Sequence, residues 1–336
     1  MDSIHKIVKD EYTSRHRSAV RSAEDRKKKL VDDIPSLKQA FFELSQTGIK
    51  FSKEIIEGKL SHKEAMEASE IEFKWLSEKL RTILIENSYD ETYLDAQFVC
   101  NICQDTGFIN KDGDRCKCYS EVIKHILGKH RDYAVFSNQN FNFFDETLYP
   151  CEPDPNVYGI KKSPRQQILA IKEKCMDFIS TFSNPETKNM LFTGNTGLGK
   201  TFVANCITYD LLLKGYSVIV ITAPMFFEIT SGYLIDHNRF SEDYAYLLSC
   251  NLLIIDDMGT EKMTDSRYSQ LLNILEIRKK NDLTSTCKVI LITNSTINEL
   301  YDIYSERIAS RIAGDFSIIK FIGKDIRILN KEVSQK

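Results

Sequence analysis

At 336 residues, with 42% apolar residues and a formal net charge of −3, the chain is long enough for two domains and has no global basic field announcing nucleic acid. No apolar run approaches the length of a membrane span, and the N-terminus is charged rather than signal-like. These features predict a cytoplasmic protein whose nine cysteines are reduced or metal-bound, not paired as disulfides.

Residues 1–98 read as a helical domain rich in Lys, Glu and Arg. Asp33 before Pro35 marks a helix start, and Ile34, Leu37, Phe41 and Leu44 then recur at three- and four-residue steps. Ser61-His62-Lys63-Glu64 has the capping-box pattern, followed by a second stripe of Phe73, Leu76, Leu80 and Ile83. An ordinary bundle and an adaptor packed on a partner both fit. Lys27-Lys28-Lys29 reads as a solvated face.

Residues 99–120 form a cysteine-rich hairpin. Cys100-Asn101-Ile102-Cys103 and Cys116-Lys117-Cys118 bring two pairs of thiols together across the turn-forming Asp105-Thr106-Gly107 and Lys111-Asp112-Gly113-Asp114. Four thiolates suit one tetrahedral zinc, and a closed all-cysteine shell is structural rather than catalytic. Unligated thiols and an iron–sulfur cluster are the alternatives. Cys151, Cys175, Cys206, Cys250 and Cys287 read as small apolar residues.

Residues 121–165, with Tyr149-Pro150, Pro153 and Pro155, read as a linker and the start of a second module. Ser163-Pro164-Arg165-Gln166 then opens a capped helix. Across 166–329, apolar strands at 190–193, 217–222, 251–256, 287–293 and 316–321 alternate with amphipathic helices, which predicts an α/β parallel sheet with helices on both faces. Residues 330–336 are a tail.

The motifs of this module converge on a triphosphate. Gly194-Asn195-Thr196-Gly197-Leu198-Gly199-Lys200-Thr201 fits G-x-x-x-x-G-K-[ST], between a short buried strand and a helix opening with Phe202. Its glycines let backbone N–H groups turn around a polyphosphate, Lys200 reaches the β- and γ-phosphates, and the Thr201 hydroxyl joins the magnesium shell. Leu252-Leu253-Ile254-Ile255-Asp256-Asp257 ends an apolar strand in two carboxylates, Asp256 for the magnesium shell and Asp257 to polarise the attacking water. Asp257 is shorter than the commoner Glu, and Glu261 is close enough in sequence to assist. Asn294 ends the next strand, placed to orient water or sense the γ-phosphate. Arg307 and Arg311 lie one helical turn apart, either as fingers for a neighbouring subunit or paired with Glu306 or Asp315. Arg327 is another candidate for the phosphates.

In this order the motifs resemble the AAA+ ATPases, and within them the DnaC/DnaI-type replicative helicase loaders. Cys-Asn-Ile-Cys-Gln-Asp-Thr-Gly, Phe141-Asn142-Phe143-Phe144, the phosphate loop, Ile-Ile-Asp-Asp-Met-Gly-Thr-Glu, Thr-Asn-Ser, Glu-Arg-Ile-Ala-Ser-Arg-Ile and Gly323-Lys324-Asp325-Ile326-Arg327 carry the resemblance. It implies a five-stranded AAA+ domain without a separate lid, ATP and magnesium as cofactors, Asp256 and Asp257 as the Walker B pair and Asn294 as sensor 1. It further implies Arg311 as arginine finger, with Arg307 the runner-up, and Arg327 as sensor 2. The expected partners are a hexameric replicative helicase, single-stranded DNA and further copies of the chain, with residues 1–98 as the adaptor. Transposition-helper ATPases that bind duplex DNA look similar across the core, generally without the cysteine hairpin. A small-molecule kinase and a non-hydrolysing interaction module are the remaining readings.

Overall fold

Leu252, Leu253, Ile254 and Ile255 are each wholly shielded from solvent, so the strand carrying them is covered on both faces. The computed structural model, which describes residues 4–109, 114–129, 134–259 and 264–328, shows how. The chain divides into two compact units, residues 6–116 and residues 117–336, with residues 1–5 grouped with the second.

In the first unit, α1 (Ile4–Asp33) leads through Ile34 into α2 (Pro35–Ile56), and α3 (His62–Glu86) returns alongside α2. Proline sits at the start of α2, where its missing N–H costs nothing. Ser61 and Glu64 close the expected reciprocal cap on α3. Leu30, Leu37, Ala40, Leu80, Ile83 and Leu84 form the core, with Ile34, Phe41 and Leu44 packed at its edge. Phe73 departs from its stripe: it is exposed, along with neighbouring Trp75, while Leu76 turns inward. Arg26 ties the segment after α3 back to α1, donating from Nε to the Tyr93 carbonyl (2.8 Å) and from a terminal nitrogen to that of Asp95 (2.9 Å).

The second unit opens with α4 (Cys118–Lys129), α5 (Ala134–Asn138), two single 3₁₀ turns at Phe141–Phe143 and Glu146–Leu148, and α6 (Pro155–Tyr158). The helix α7 (Pro164–Ser180) carries the capping box of Ser163 and Gln166. The chain then alternates through β1 (Asn189–Thr193), α8 (Lys200–Leu213), β2 (Val218–Thr222), α9 (Ala223–Ile235), α10 (His237–Ser249) and β3 (Leu252–Met258). It continues with α11 (Asp265–Asn281), β4 (Lys288–Thr293), α12 (Ile297–Ile303), α13 (Ser305–Asp315) and β5 (Phe316–Lys320).

All strand pairings are parallel, in the order β2-β3-β4-β1-β5, with Ile254 opposite both Val220 and Ile290 and Leu191 opposite Ile318. One apolar layer contains Phe192, Ile254, Ile290 and Ile292 with Val203, Ile207 and Leu211 of α8; the other contains Leu191, Leu253, Ile255 and Leu291 with Phe226, Leu271 and Ile308. The strand alternation therefore feeds both faces, and the strand ends after β1, β3 and β4 meet at one edge. Cys175, Cys206, Cys250 and Cys287 are buried as expected, but Cys151 is exposed in the loop before α6.

Arg278 of α11 is fully buried and donates to the carbonyls of Leu247 (2.7 Å), Cys250 (2.8 Å) and Lys288 (2.8 Å). It satisfies backbone oxygens at the end of α10 and the start of β4 that water does not reach. Replacing it by Leu should destabilise this unit by about 2–4 kcal/mol, because the acceptors stay buried without donors. Urea denaturation followed by circular dichroism checks this; an unchanged midpoint would contradict the role.

Candidate functional site

The loop between β1 and α8 folds as a cradle because three of its glycines adopt positive φ: Gly194 at 139°, Gly197 at 78° and Gly199 at 86°. Neighbours press on the same residues. A Cβ on Gly197 would lie 2.0 Å from the Asp325 carboxyl carbon, and one on Gly199 would lie 2.5 Å from the Tyr149 hydroxyl. The Tyr149 hydroxyl in turn donates to the Leu198 carbonyl at 3.1 Å.

Lys200, the first residue of α8, is buried, and its ammonium donates to the carbonyls of Gly194 (2.6 Å) and Asn195 (2.7 Å) and to Asn294 Oδ1 (2.8 Å). All three are neutral oxygens. Burial pulls the Lys200 ammonium down to about 8, against the opposing fields of Asp256 and Asp257, and the charge of Arg327 adds to the depression. A cation shielded from water and held by neutral oxygens is matched to an anionic ligand.

Thr201 donates its hydroxyl to Asp256 Oδ2 (2.8 Å), while Asp256 Oδ1 accepts the backbone N–H of Asp257 (2.7 Å). Burial raises the Asp256 carboxyl above its ordinary range, with the Thr201 hydrogen bond opposing. The β3–β4 ladder is irregular between Ile255 and Met258, and Asp257 takes φ 57° there. The bulge turns successive acids apart, leaving Asp256 buried and Asp257 exposed. Asp is among the few residues besides glycine that visit the left-handed region, and such conformations gather at functional sites.

Thr196, Gly197, Leu198, Gly199, Lys200, Thr201, Phe202, Asp256, Asp257, Asn294, Ile326 and Arg327 line one cleft of about 300 Å³. The donor set suits a triphosphate with magnesium: backbone N–H groups at a helix start, one buried ammonium, and hard hydroxyl and carboxylate oxygens. The structure thus gathers Lys200, Thr201, Phe202, Asp256, Asp257, Asn294 and Arg327 around the loop. Arg311 stands apart on α13, where its guanidinium donates to Glu276 Oε1 of α11 at 2.7 Å. Of the two partners considered from sequence, the Glu306 side chain lies outside the described residues. Asp315 instead accepts from Lys279 at 2.6 Å. Arg307 is exposed on the same helix. Glu261, Lys111, Asp112, Gly113 and the tail 330–336 lie outside the described residues. From sequence, Tyr149 reads only as part of a linker, and Asp325 only as part of the motif ending in Arg327. Tyr149 carries no local signal, whereas Asp325 followed two residues later by Arg327 has the spacing of an Asx turn.

The thiols of Cys100, Cys103, Cys116 and Cys118 all lie within 4.8 Å of one another, and those of Cys100 and Cys116 are 3.7 Å apart. Tetrahedral zinc with sulfur at about 2.3 Å separates its ligands by about 3.8 Å, so the cluster fits that ion. The hairpin legs pair through the Gly107 carbonyl, which accepts from Cys116 N at 3.0 Å. Gln104, Asp105 and Gly107 take positive φ (51°, 54° and 80°) to bring the first pair round. The buried Asp105 carboxylate fixes this turn by accepting the N–H groups of Val99 (2.8 Å) and Cys100 (2.9 Å). Gly107 N points at Cys103 Sγ (3.4 Å), a contact that favours a thiolate.

Fold and cleft together define an AAA+ ATP-binding module. Residues 164–313 match the family of IstB-like ATP binding proteins. The replicative helicase loader DnaC of Escherichia coli (strain K12) is 27% identical over 141 residues, covering 41% of this chain. The chain spans only 55% of that relative's length. The replicative helicase loader DnaC of Buchnera aphidicola subsp. Baizongia pistaciae (strain Bp) is 28% identical over 212 residues, covering 62% of this chain and 77% of the relative. A crystal structure of the DnaC helicase loader superposes with a TM-score of 0.41 at 20% identity, covering 56% of this chain and 99% of that one. Among the described residues, no helix is long and apolar enough to cross a membrane.

If the four cysteines hold zinc, the purified chain should release one zinc per chain on thiol modification. Chelation should open residues 99–118 to protease while leaving the sheet unit intact. A metal-free chain with the same protease pattern would contradict the assignment.

Proposed function

We propose that this protein is an ATP-hydrolysing loader that delivers a replicative DNA helicase to single-stranded DNA. The observation that carries the reading is the meeting of Lys200, Thr201, Asp256, Asp257 and Asn294 at one phosphate loop, in a domain similar to two relatives named replicative helicase loaders. Lys200 would exchange its carbonyl partners for the β- and γ-phosphates, and the turned-in N–H groups of residues 197–201 would share their charge. Asp256 and the Thr201 hydroxyl would hold magnesium, which supplies charge neutralisation on the phosphate oxygens when bound. Asp257, turned out by the bulge, would accept a proton from the attacking water. Asn294, joined to Lys200, would register the terminal phosphate.

Arg311 does not line the cleft of its own chain. From α13, outside that cleft, it would act on the cleft of a neighbouring copy by giving up its pair with Glu276, with Arg307 the alternative finger. ATP state would then bias contacts between subunits, and the helical unit would serve as the helicase adaptor. The second reading is a transposition helper acting on duplex DNA, favoured by the IstB-like match; the four-cysteine cluster favours the loader. Co-purification with the replicative helicase, with and without ATP, tests the two. Retention of the helicase supports the loader, whereas retention of a transposase alone would reject it.

Two further outcomes follow. Lys200→Ala should lose ATP binding in calorimetry by at least about tenfold, as expected for removal of a charge-assisted contact; wild-type affinity would refute the site. Arg311→Ala should bind ATP yet turn it over poorly, and mixing it with Lys200→Ala should restore part of the phosphate release. Mixtures that never exceed the sum of the separate variants would count against a shared site.

A further inference from the structure

After β5, residues 321–328 run back over the phosphate loop. Phe321 N donates to the Thr193 carbonyl (2.8 Å) and Ile326 N to that of Gly197 (3.0 Å). Between these anchors the Asp325 carboxylate rests against Gly197, in the space that any side chain there would need. The same carboxylate holds Arg327 three times. Oδ1 accepts the Arg327 backbone N–H (2.9 Å) and Nε–H (3.1 Å), and Oδ2 accepts from a terminal guanidinium nitrogen (3.1 Å). Arg327 lines the phosphate cleft, and its charge is close enough to act on Lys200.

We propose that Asp325 is a positioning and specificity residue, a carboxylate latch that holds Arg327 at the rim of the cleft and yields it to the terminal phosphate of a bound triphosphate. The inference rests on the reading of this cleft as an ATP site. A guanidinium gripped through Nε and one terminal nitrogen keeps three N–H groups, but its charge is largely offset by the adjoining carboxylate and its Nε edge is taken, so a phosphate meets a nearly neutral pair until the latch opens. A diphosphate that stops short of Arg327 leaves the pair closed. A triphosphate that reaches it replaces one anion with another, so the latch taxes triphosphate binding and sets how strongly the site prefers ATP to ADP. Part of the guanidinium is solvent-exposed, so the exchange involves no deeply buried charge.

The test is calorimetric titration of the full chain with ATP and with ADP, each with magnesium. Asp325→Asn keeps an oxygen for the Arg327 backbone N–H and removes the charge; Asp325→Ser keeps a hydroxyl for the same turn and serves if the amide variant melts early. Both should raise the ratio of ADP to ATP dissociation constants by about two- to fivefold, the range an exposed ion pair supplies. In an Arg327→Ala background the same substitutions should leave the ratio unchanged. A ratio unaltered or lowered in both neutral variants, or raised equally without Arg327, overturns the latch. Wild-type binding that disappears in Lys200→Ala secures the site, so that a failure then belongs to the latch alone. A wild-type chain that binds neither nucleotide overturns both readings.

Discussion

A lysine ammonium shielded from water among neutral oxygens organises this molecule. Lys200 can occupy that position because β1 delivers the carbonyls of Gly194 and Asn195 on one side and β4 delivers Asn294 on the other. The arrangement needs β1 and β4 to be neighbours, which the sheet order provides, and it needs three glycines that bend the loop without a clash. Desolvation disfavours the charge and lowers the proton affinity of Lys200, so an incoming anion would recover a cost already met by folding.

The remaining groups are positioned by the same sheet edge. The bulge in β3 separates two adjacent acids into a buried one joined to Thr201 and an exposed one facing the cleft. Tyr149, from the segment before α6, and Asp325, from the segment after β5, brace the loop from outside. The loop is thus held by chain segments far apart in sequence, and in the function proposed above a bound nucleotide would act on the domain through those segments.

Much of this was legible from the chain because it is local. A phosphate loop is one continuous octet flanked by a buried strand and a helix, and Asp256, Asp257 and Asn294 each end an apolar run. The capping boxes at Ser61 and Ser163 are equally local, and both form. What sequence did not disclose depends on packing between distant residues. Nothing around Tyr149 indicates that its hydroxyl meets Leu198, and the Arg311–Glu276 pair joins helices whose adjacency follows only from the sheet order. Phe73 shares the spacing of its stripe but not its burial, since periodicity gives the face of a helix and not the width of the surface that covers it. The four cysteines lie between these cases: their spacing announced the cluster, while the buried Asp105 that shapes its first turn became apparent only in three dimensions.

The central claim is that the Lys200 cage exists to receive a triphosphate. A crystal structure of the chain with magnesium and a non-hydrolysable ATP analogue tests it most directly. The account predicts Lys200 Nζ within hydrogen-bonding distance of the β- and γ-phosphates and released from the Gly194 and Asn195 carbonyls. Nucleotide bound elsewhere, or bound here with the lysine still on its carbonyls, would contradict it.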